Sequence, residues 1–573
     1  MKRIVLLIIA SLLVIALVLP GCDGGNGGNG VVWPLRTLKS ADKLTIGVTG
    51  AMGYDQGLHA LYGAELAAAT IGTFTVGTKS LTVEIVSIET NEVLNPGGAG
   101  GTAAVSAAIG SCDFMVGGFR TEGVIVYREP IMTANMTFIN CGAATEILQN
   151  AVLTNYDRYK YFFKGTPMNE FQLSEAQSKL VNMLVIMART AAGNATYLPR
   201  IALLAEDAEW TRVSRENAQA KFVTLGYAVD PDPWLVSPTA TDIGTTLNSI
   251  KDADPDIIYV IVSGPVGVTY GNTVGDYMPN VLSAGINVEA QRQEYPSVAK
   301  YAEGTVFLDG FAPGVALTAN TAGFLADFAA AHSDKWPIYT AATYDAVGTL
   351  VEALQSKGSV VGGAVQYQPL DIVAYMEGNV RTGTAGTTGV YPMWDGVTEG
   401  DYVTYAKTYT DVPALNEGQV LALYPWLTSA KYAPYPLPYP PTAVNSWTYD
   451  SDDWTMPPFT PHDLNFGMRA ADGSKWATAI ASQWQYLGVG PATNLTKVCV
   501  WPLPYAAGAP YTFPTNQADW LTYLAGAPDA VYVYTAQLMG LWDQYGWWHW
   551  MYPGTGAPDI TSWVTWLIVN GRI

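Results

Sequence analysis

The chain has 573 residues, 49% hydrophobic and 14% charged, which is enough for two or three domains with sizeable cores. Its net charge of -20, with no basic run to offset it, argues against nucleic acid or anionic membrane surfaces as partners. Apart from Cys22, the cysteines Cys112, Cys141 and Cys499 form neither a disulfide framework nor a zinc pattern.

At the N-terminus Lys2 and Arg3 precede an uncharged, mostly apolar run, Ile4 to Leu19, that closes on Leu19-Pro20-Gly21-Cys22. The run is short for a spanning helix, and the basic start with small residues before a cysteine predicts an export signal over residues 1–21. The LPGC string resembles the lipobox of bacterial lipoproteins, which implies lipidation at Cys22 and a membrane-anchored chain outside the cytoplasm. Loss of Lys2 and Arg3 with the signal takes the charge from -20 to -22. Gly24 to Gly30 (GGNGGNG) reads as part of a flexible tether over residues 22–41.

From residue 43 the hydrophobic period alternates between strand and helix. Strands are predicted at 43–48, 81–88, 113–117 and 136–140, with helices at 56–71, 100–110 and 121–134 between them. A second series starts at 200–204, passes through a helix at 210–225 and reaches a strong strand at 256–262. Such alternation implies parallel sheets with helices on both faces, hence two doubly wound α/β lobes. Cys112 and Cys141 then fall at opposite ends of two parallel strands, too far apart to bridge.

In open parallel sheets ligands bind beyond the carboxyl ends of the strands. In the first lobe those ends are Gly50 to Tyr54, Glu89 to Asn91, Gly118 to Glu122 and Gly142 to Thr145. Small residues there let a ligand approach backbone N–H groups, and Thr121, opening a helix, can offer its hydroxyl and the helix N-terminus to a carboxylate. Turn-making glycines and an ordinary helix cap would look the same in any one of these loops.

The strings KLTIGVTGAMG, YGAELAAATIG, DFMVGGFRTEG, FINCGAATEIL, RIALLAEDAEW, DIIYVIVSG and YTAATYDAVGTLVEAL, in this order and spacing, resemble the leucine/isoleucine/valine-binding family of type I periplasmic binding proteins over residues 42–426. The resemblance implies two lobes joined by a three-segment hinge, near 164–166, 309–311 and 386–389. It places the first lobe at 42–164, the second at 165–310, a return to the first at 311–388 and a closing segment of the second at 389–426. It implies a solute-binding component of an ABC importer, closing on an amino acid or a relative such as an amide or urea-type compound, with an ABC permease as partner, no cofactor and no catalysis. The carboxylate of such a ligand would meet Thr121 and the backbone of Ala143, Ala144 and Thr145, with Met52 and Tyr54 on the first loop. Trp210 holds the place of an aromatic contact, where the family prefers tyrosine followed by glycine. For a ligand ammonium the candidates are Glu289 and Asp207.

The four histidines, His59, His332, His462 and His549, stand apart without an HExxH, a nucleophile elbow or a catalytic acid pair, and no glycine loop leads into a lysine-serine pair. Residues 427–573 lie beyond the resemblance and hold twelve of the eighteen tryptophans beside a proline-rich stretch. They read as a C-terminal extension whose aromatic residues form its own core or a surface for a protein or glycan. The latter would make the chain a sensing or adhesive lipoprotein.

Overall fold

The structure, a computed structural model, describes residues 35–389 apart from breaks at 96–98, 167–168, 316–319, 334, 379 and 385–386, together with 480–486, 495–501 and 559–573. The expected export signal, Cys22, most of the tether and nearly all of the closing segment 389–426 lie outside these residues. Among the described residues no helix is long and apolar enough to cross a membrane.

The first lobe opens with β1 (Arg36–Thr37), β2 (Lys43–Gly50), α1 (Asp55–Ile71), β3 (Thr73–Val76) and β4 (Lys79–Glu89). It continues through α2 (Ala99–Ala108), β5 (Phe114–Gly117), α3 (Thr121–Thr133), β6 (Phe138–Asn140), α4 (Ile147–Thr154), α5 (Tyr156–Tyr159) and β7 (Phe162–Lys164). Its sheet runs β3-β4-β2-β5-β6-β7 and is parallel except for the β3–β4 hairpin. Strand β2 is buried almost throughout, as a parallel strand covered by helices on both faces must be. Leu44, Ile46 and Val48 share one core with Val116, Phe138 and, from the returning chain, Val347 and Leu350.

The second lobe comprises α6 (Glu170–Ala192), β8 (Arg200–Glu206), α7 (Glu209–Thr224), β9 (Ala228–Val229), β10 (Trp234–Val236) and α8 (Gly244–Asp252). It goes on through β11 (Ile257–Val262), α9 (Val266–Tyr277), β12 (Leu282–Asn287), α10 (Tyr295–Val298) and β13 (Val306–Asp309). The chain then returns to the first lobe as α11 (Thr321–Ala331), α12 (Thr343–Lys357), β14 (Ser359–Val361), β15 (Ala364–Tyr367) and α13 (Pro369–Gly378), followed by the hairpin β16 (Val380–Thr382) and β17 (Thr387–Gly389). The first two expected crossings, at 164–166 and 309–311, are where the chain changes lobe; of the third, only β17 is described.

The second sheet runs β10-β8-β11-β12-β13 in parallel and is extended by β18 (Ile480–Tyr486) and β19 (Leu495–Trp501), both antiparallel to their neighbours. A last helix, α14 (Thr561–Val569), lays Trp563, Val564 and Leu567 on the core formed by α6, α7 and the sheet. Here the structure differs from the boundary expected at residue 427, because the described parts of 427–573 complete the second lobe. Trp484 and Trp563 are buried, and their indole N–H groups donate to the carbonyls of Ala290 and Asp256 at 2.9 Å each. The aromatic residues of 519–546 and 547–550 lie outside the described residues.

The C-terminal strands also fix the second crossing. Lys497 on β19 donates to the Asp309 carboxylate at 3.0 Å and to the carbonyls of Gln291 and Phe311, and Ser482 on β18 donates to the same carboxylate at 2.9 Å. Both charged side chains are shut off from solvent, at 1% and 0% exposure, so neither can be lost without stranding the other. Lys497→Met is expected to destabilise the chain by about 3 to 5 kcal/mol, and adding Asp309→Asn should restore part of that. Urea unfolding midpoints of the two variants check this, and equal midpoints for wild type and Lys497→Met would contradict it.

Candidate ligand-binding cleft

Both lobes wind in the same way. Each chain path starts at a central strand, moves one place to one side and then crosses back, so strand order reverses beside β2 in the first lobe and beside β8 in the second. The loops that diverge at such a reversal leave a crevice at the carboxyl ends of the strands. These are the loops after β2 and β5 in one lobe and after β8 and β11 in the other.

The loop after β5 is shaped by two glycines. Gly117 and Gly118 have φ of +102° and +86°, and a Cβ on Gly117 would stand 2.3 Å from the Thr49 carbonyl oxygen. The turn presents the N–H groups of Phe119 and Arg120 to the buried carboxylate of Glu92, at 3.2 and 3.0 Å. Glu92 also accepts from the Thr90 hydroxyl at 2.9 Å and from Tyr127. Burial nevertheless pushes its carboxyl up to about 7. Held in this way, Arg120 sends its guanidinium out of the first lobe.

The second lobe meets it with Glu206, the last residue of β8. One oxygen of Glu206 accepts from the N–H groups of Ser263 and Gly264. The other accepts from the Ser263 hydroxyl at 3.0 Å, the Trp210 indole at 3.3 Å and Arg120 Nη1 at 2.6 Å. Burial alone would raise this carboxyl, but the Arg120 charge and the Ser263 and Gly264 amides outweigh it and hold Glu206 below the usual carboxylate range. The ion pair joins the two lobes at 2% and 0% exposure.

Further contacts close the same seam. Gln56 Nε2 donates to the Ser263 carbonyl at 3.0 Å and to Glu289 at 2.7 Å. The Glu122 carboxylate accepts from the Glu209 N–H at 2.7 Å, which places an acid on the N-terminus of α7. Arg292 pairs with Asp55 across the seam and with Glu289 on its own side. Ala51, Val93 and Phe119, with Tyr54 and Tyr339 packed against them, form an apolar wall beside Arg120.

The residues expected from the sequence are distributed as follows. Thr121 is the first residue of α3, buried, and its hydroxyl has no partner among the described residues. Met52 and Tyr54 are half-buried on the first loop. Ala143, Ala144 and Thr145 are buried after β6, but Ala143 N–H donates to Asn140, Glu170 N–H donates to the Ala144 carbonyl, and the Thr145 hydroxyl donates to Glu170 at 3.2 Å. Trp210 is buried in the second-lobe core and turns its indole N–H to Glu206. Glu289 is buried and bound to Gln56 and Arg292, while Asp207 is exposed. The acid in the crevice is thus its neighbour Glu206, which sequence reading passed over together with Arg120, Gln56 and Glu92. Cys112 and Cys141 are buried and not bridged to each other, the outcome the strand geometry implied, and Cys499 is buried on β19. Among the described residues no group of histidine, cysteine and acids could hold a metal ion.

Glu170 ties α6 to the loop after β6, since it also accepts from the Glu146 N–H at 3.1 Å. Burial pushes its carboxyl up to about 8. Between its usual range and pH about 8 the folded chain therefore keeps a proton that the unfolded chain has released, so this residue's contribution falls as pH rises through that window. Glu170→Gln should flatten the pH dependence of stability between about pH 5 and about pH 8, as read from denaturation midpoints. An unaltered slope would show that Glu170 does not titrate there.

No family model and no curated protein matches the sequence. Among solved structures the chain is similar to a solute-binding protein of an ABC transporter from R. palustris in complex with benzoate, with 15% identity, a TM-score of 0.48 and coverage of 61% of this chain and 89% of that one. It is similar to the branched-chain amino acid transporter substrate-binding protein of Streptococcus pneumoniae in complex with isoleucine, at 17% identity, a TM-score of 0.47 and coverage of 61% and 92%. A leucine-binding protein from Thermotoga maritima gives 16% identity, a TM-score of 0.47 and coverage of 63% and 92%.

Proposed function

We propose that this chain is the extracytoplasmic solute-binding component of an ABC importer, anchored by lipid at Cys22, which closes its two lobes on an amino acid or a related small solute. The observation that carries the reading is the seam itself: two strand-order reversals face each other, and the buried Arg120–Glu206 pair joins them. A solute held there, against Thr121, Met52, Tyr54 and Trp210, would touch both lobes and so stabilise the closed form by its preference for that form. A membrane permease would then recognise the closed form, and no bond in the solute need be made or broken. Trp484 and Trp563 are buried in the second lobe and Trp566 packs half-buried on its core, so these residues serve the fold and do not favour the adhesive reading.

Two experiments test this. Detergent-solubilised full-length chain, melted in the presence of single amino acids, amides and urea, should show a raised Tm with at least one of them. A ligand at a hundred times its Kd adds about 2.7 kcal/mol to the folded state. No shift across the library would sink the proposed ligand class. For the anchor, Cys22→Ala should yield protein released from membranes or left as unprocessed precursor, and normal processing with full membrane retention would rule out lipidation.

A further inference from the structure

The proposed function leaves open how a solute is gripped, and the hydrogen-bond pattern of Arg120 bears on this. A guanidinium carries five N–H donors on a rigid planar fork. Glu206 takes Nη1, while Nε and Nη2 have no partner among the described residues although the side chain is only 2% exposed. Nε and one Nη together form the edge that matches the two oxygens of a carboxylate. Gly264 lets the backbone of the second lobe pass close to this edge, since a Cβ there would stand 2.5 Å from Nη2. The Thr121 hydroxyl, next in the chain at the start of α3, is buried and also without a partner among the described residues. Helix α3, thirteen residues long, starts at Thr121 and adds its N-terminal dipole beside that hydroxyl.

In the alternative seat, the loop after β6, three of the donors are already committed. Ala143 N–H is bound to Asn140, and the Thr145 hydroxyl and Glu146 N–H are bound to Glu170. Glu206 for its part accepts five hydrogen bonds, so it keeps its own partners when Arg120 is shared.

Resting on the solute-binding reading above, we infer that Arg120 is the specificity-determining residue of the cleft: its Nε–Nη2 edge, with the Thr121 hydroxyl, seats the carboxylate of an apolar organic acid while Nη1 stays on Glu206. The acid's body lies against the wall of Tyr54, Phe119 and Tyr339. One cation thereby serves two carboxylates, one from the second lobe and one from the ligand. A neutral amide or urea fits this place less well, because it offers one acceptor oxygen and no charge, and turns an N–H group toward the second donor of Arg120.

The test is isothermal titration of the full-length chain with probes that share a body and differ in head: 4-methylpentanoate against 4-methylpentanamide, L-leucine against L-leucinamide, and urea. Each acid is expected to bind at least about 10-fold more tightly than its amide. Arg120→Lys keeps a cation for Glu206 but loses the two-point edge and should weaken the acids about 10- to 100-fold. Thr121→Val removes a hydroxyl that bonds nothing in the free chain, so it should weaken the acids without lowering Tm. That variant keeps the test valid even if Arg120→Lys unfolds. Amides or urea binding as tightly as the acids, or acids bound unchanged by Thr121→Val and a folded Arg120→Lys, would overturn the inference while leaving solute binding intact. If no probe binds, the solute-binding reading fails, and this inference with it.

Discussion

The arrangement depends on keeping one buried cation satisfied. Arg120 leaves the first lobe at the point where its strand order reverses and enters the second where the same reversal recurs, and its charge is out of water only because Glu206 is there to meet it. A buried pair of this kind gains little over two hydrated ions, since desolvation offsets most of the attraction, yet losing either partner is costly. The pair thus makes the joining of the two lobes specific more than it makes it strong. Everything around it serves that geometry. Gly117 and Gly118 aim the loop, Glu92 fixes its amides, and Ser263 and Gly264 orient the acid on the far side.

Under the closure proposed above, the net gain is small, so contacts along the seam can tip it. Gln56 on Ser263 and Glu289, Glu122 on the first N–H of α7, and Arg292 on Asp55 are such contacts. A hinge working as proposed would respond to a ligand that binds its closed form better, in proportion to that difference and no further.

Much of the scaffold was legible in the sequence. The strands at 43–48, 113–117 and 256–262 and the helices at 56–71 and 210–225 lie within a few residues of β2, β5, β11, α1 and α7, because fully buried strands and one-sided helices leave strong periodic signals. Thr121 was placed correctly at the start of α3. The charged partners were less visible. Glu206 closes the run Ile201-Ala202-Leu203-Leu204-Ala205 and is buried with it, whereas Asp207, one residue on, turns to solvent; a single-residue change of side decides which acid enters the crevice. Arg120 stood in the quoted loop, but nothing local distinguishes a guanidinium that spans two lobes from one that points into water. Strand β18 was missed because Ser482, Gln483 and Gln485 are buried through hydrogen bonds to Asp309, Gly304 and each other, so it lacks an apolar pattern.

The late position of β18, β19 and α14 sets the order in which the molecule can be finished. Until residue 480 has been synthesised, β13 is an open edge with unpaired backbone groups, and the core face that α14 covers stays bare until residue 561. A chain emerging slowly into water would expose both the edge and the apolar face, which are the features that drive misassembly. Under the export proposed above, translocation as an unfolded thread, followed by release of all segments together on the far side, would suit such a topology. The second lobe then has its first and last strands available at once, at the entropic cost of closing a loop from β13 to β18 across some 170 residues.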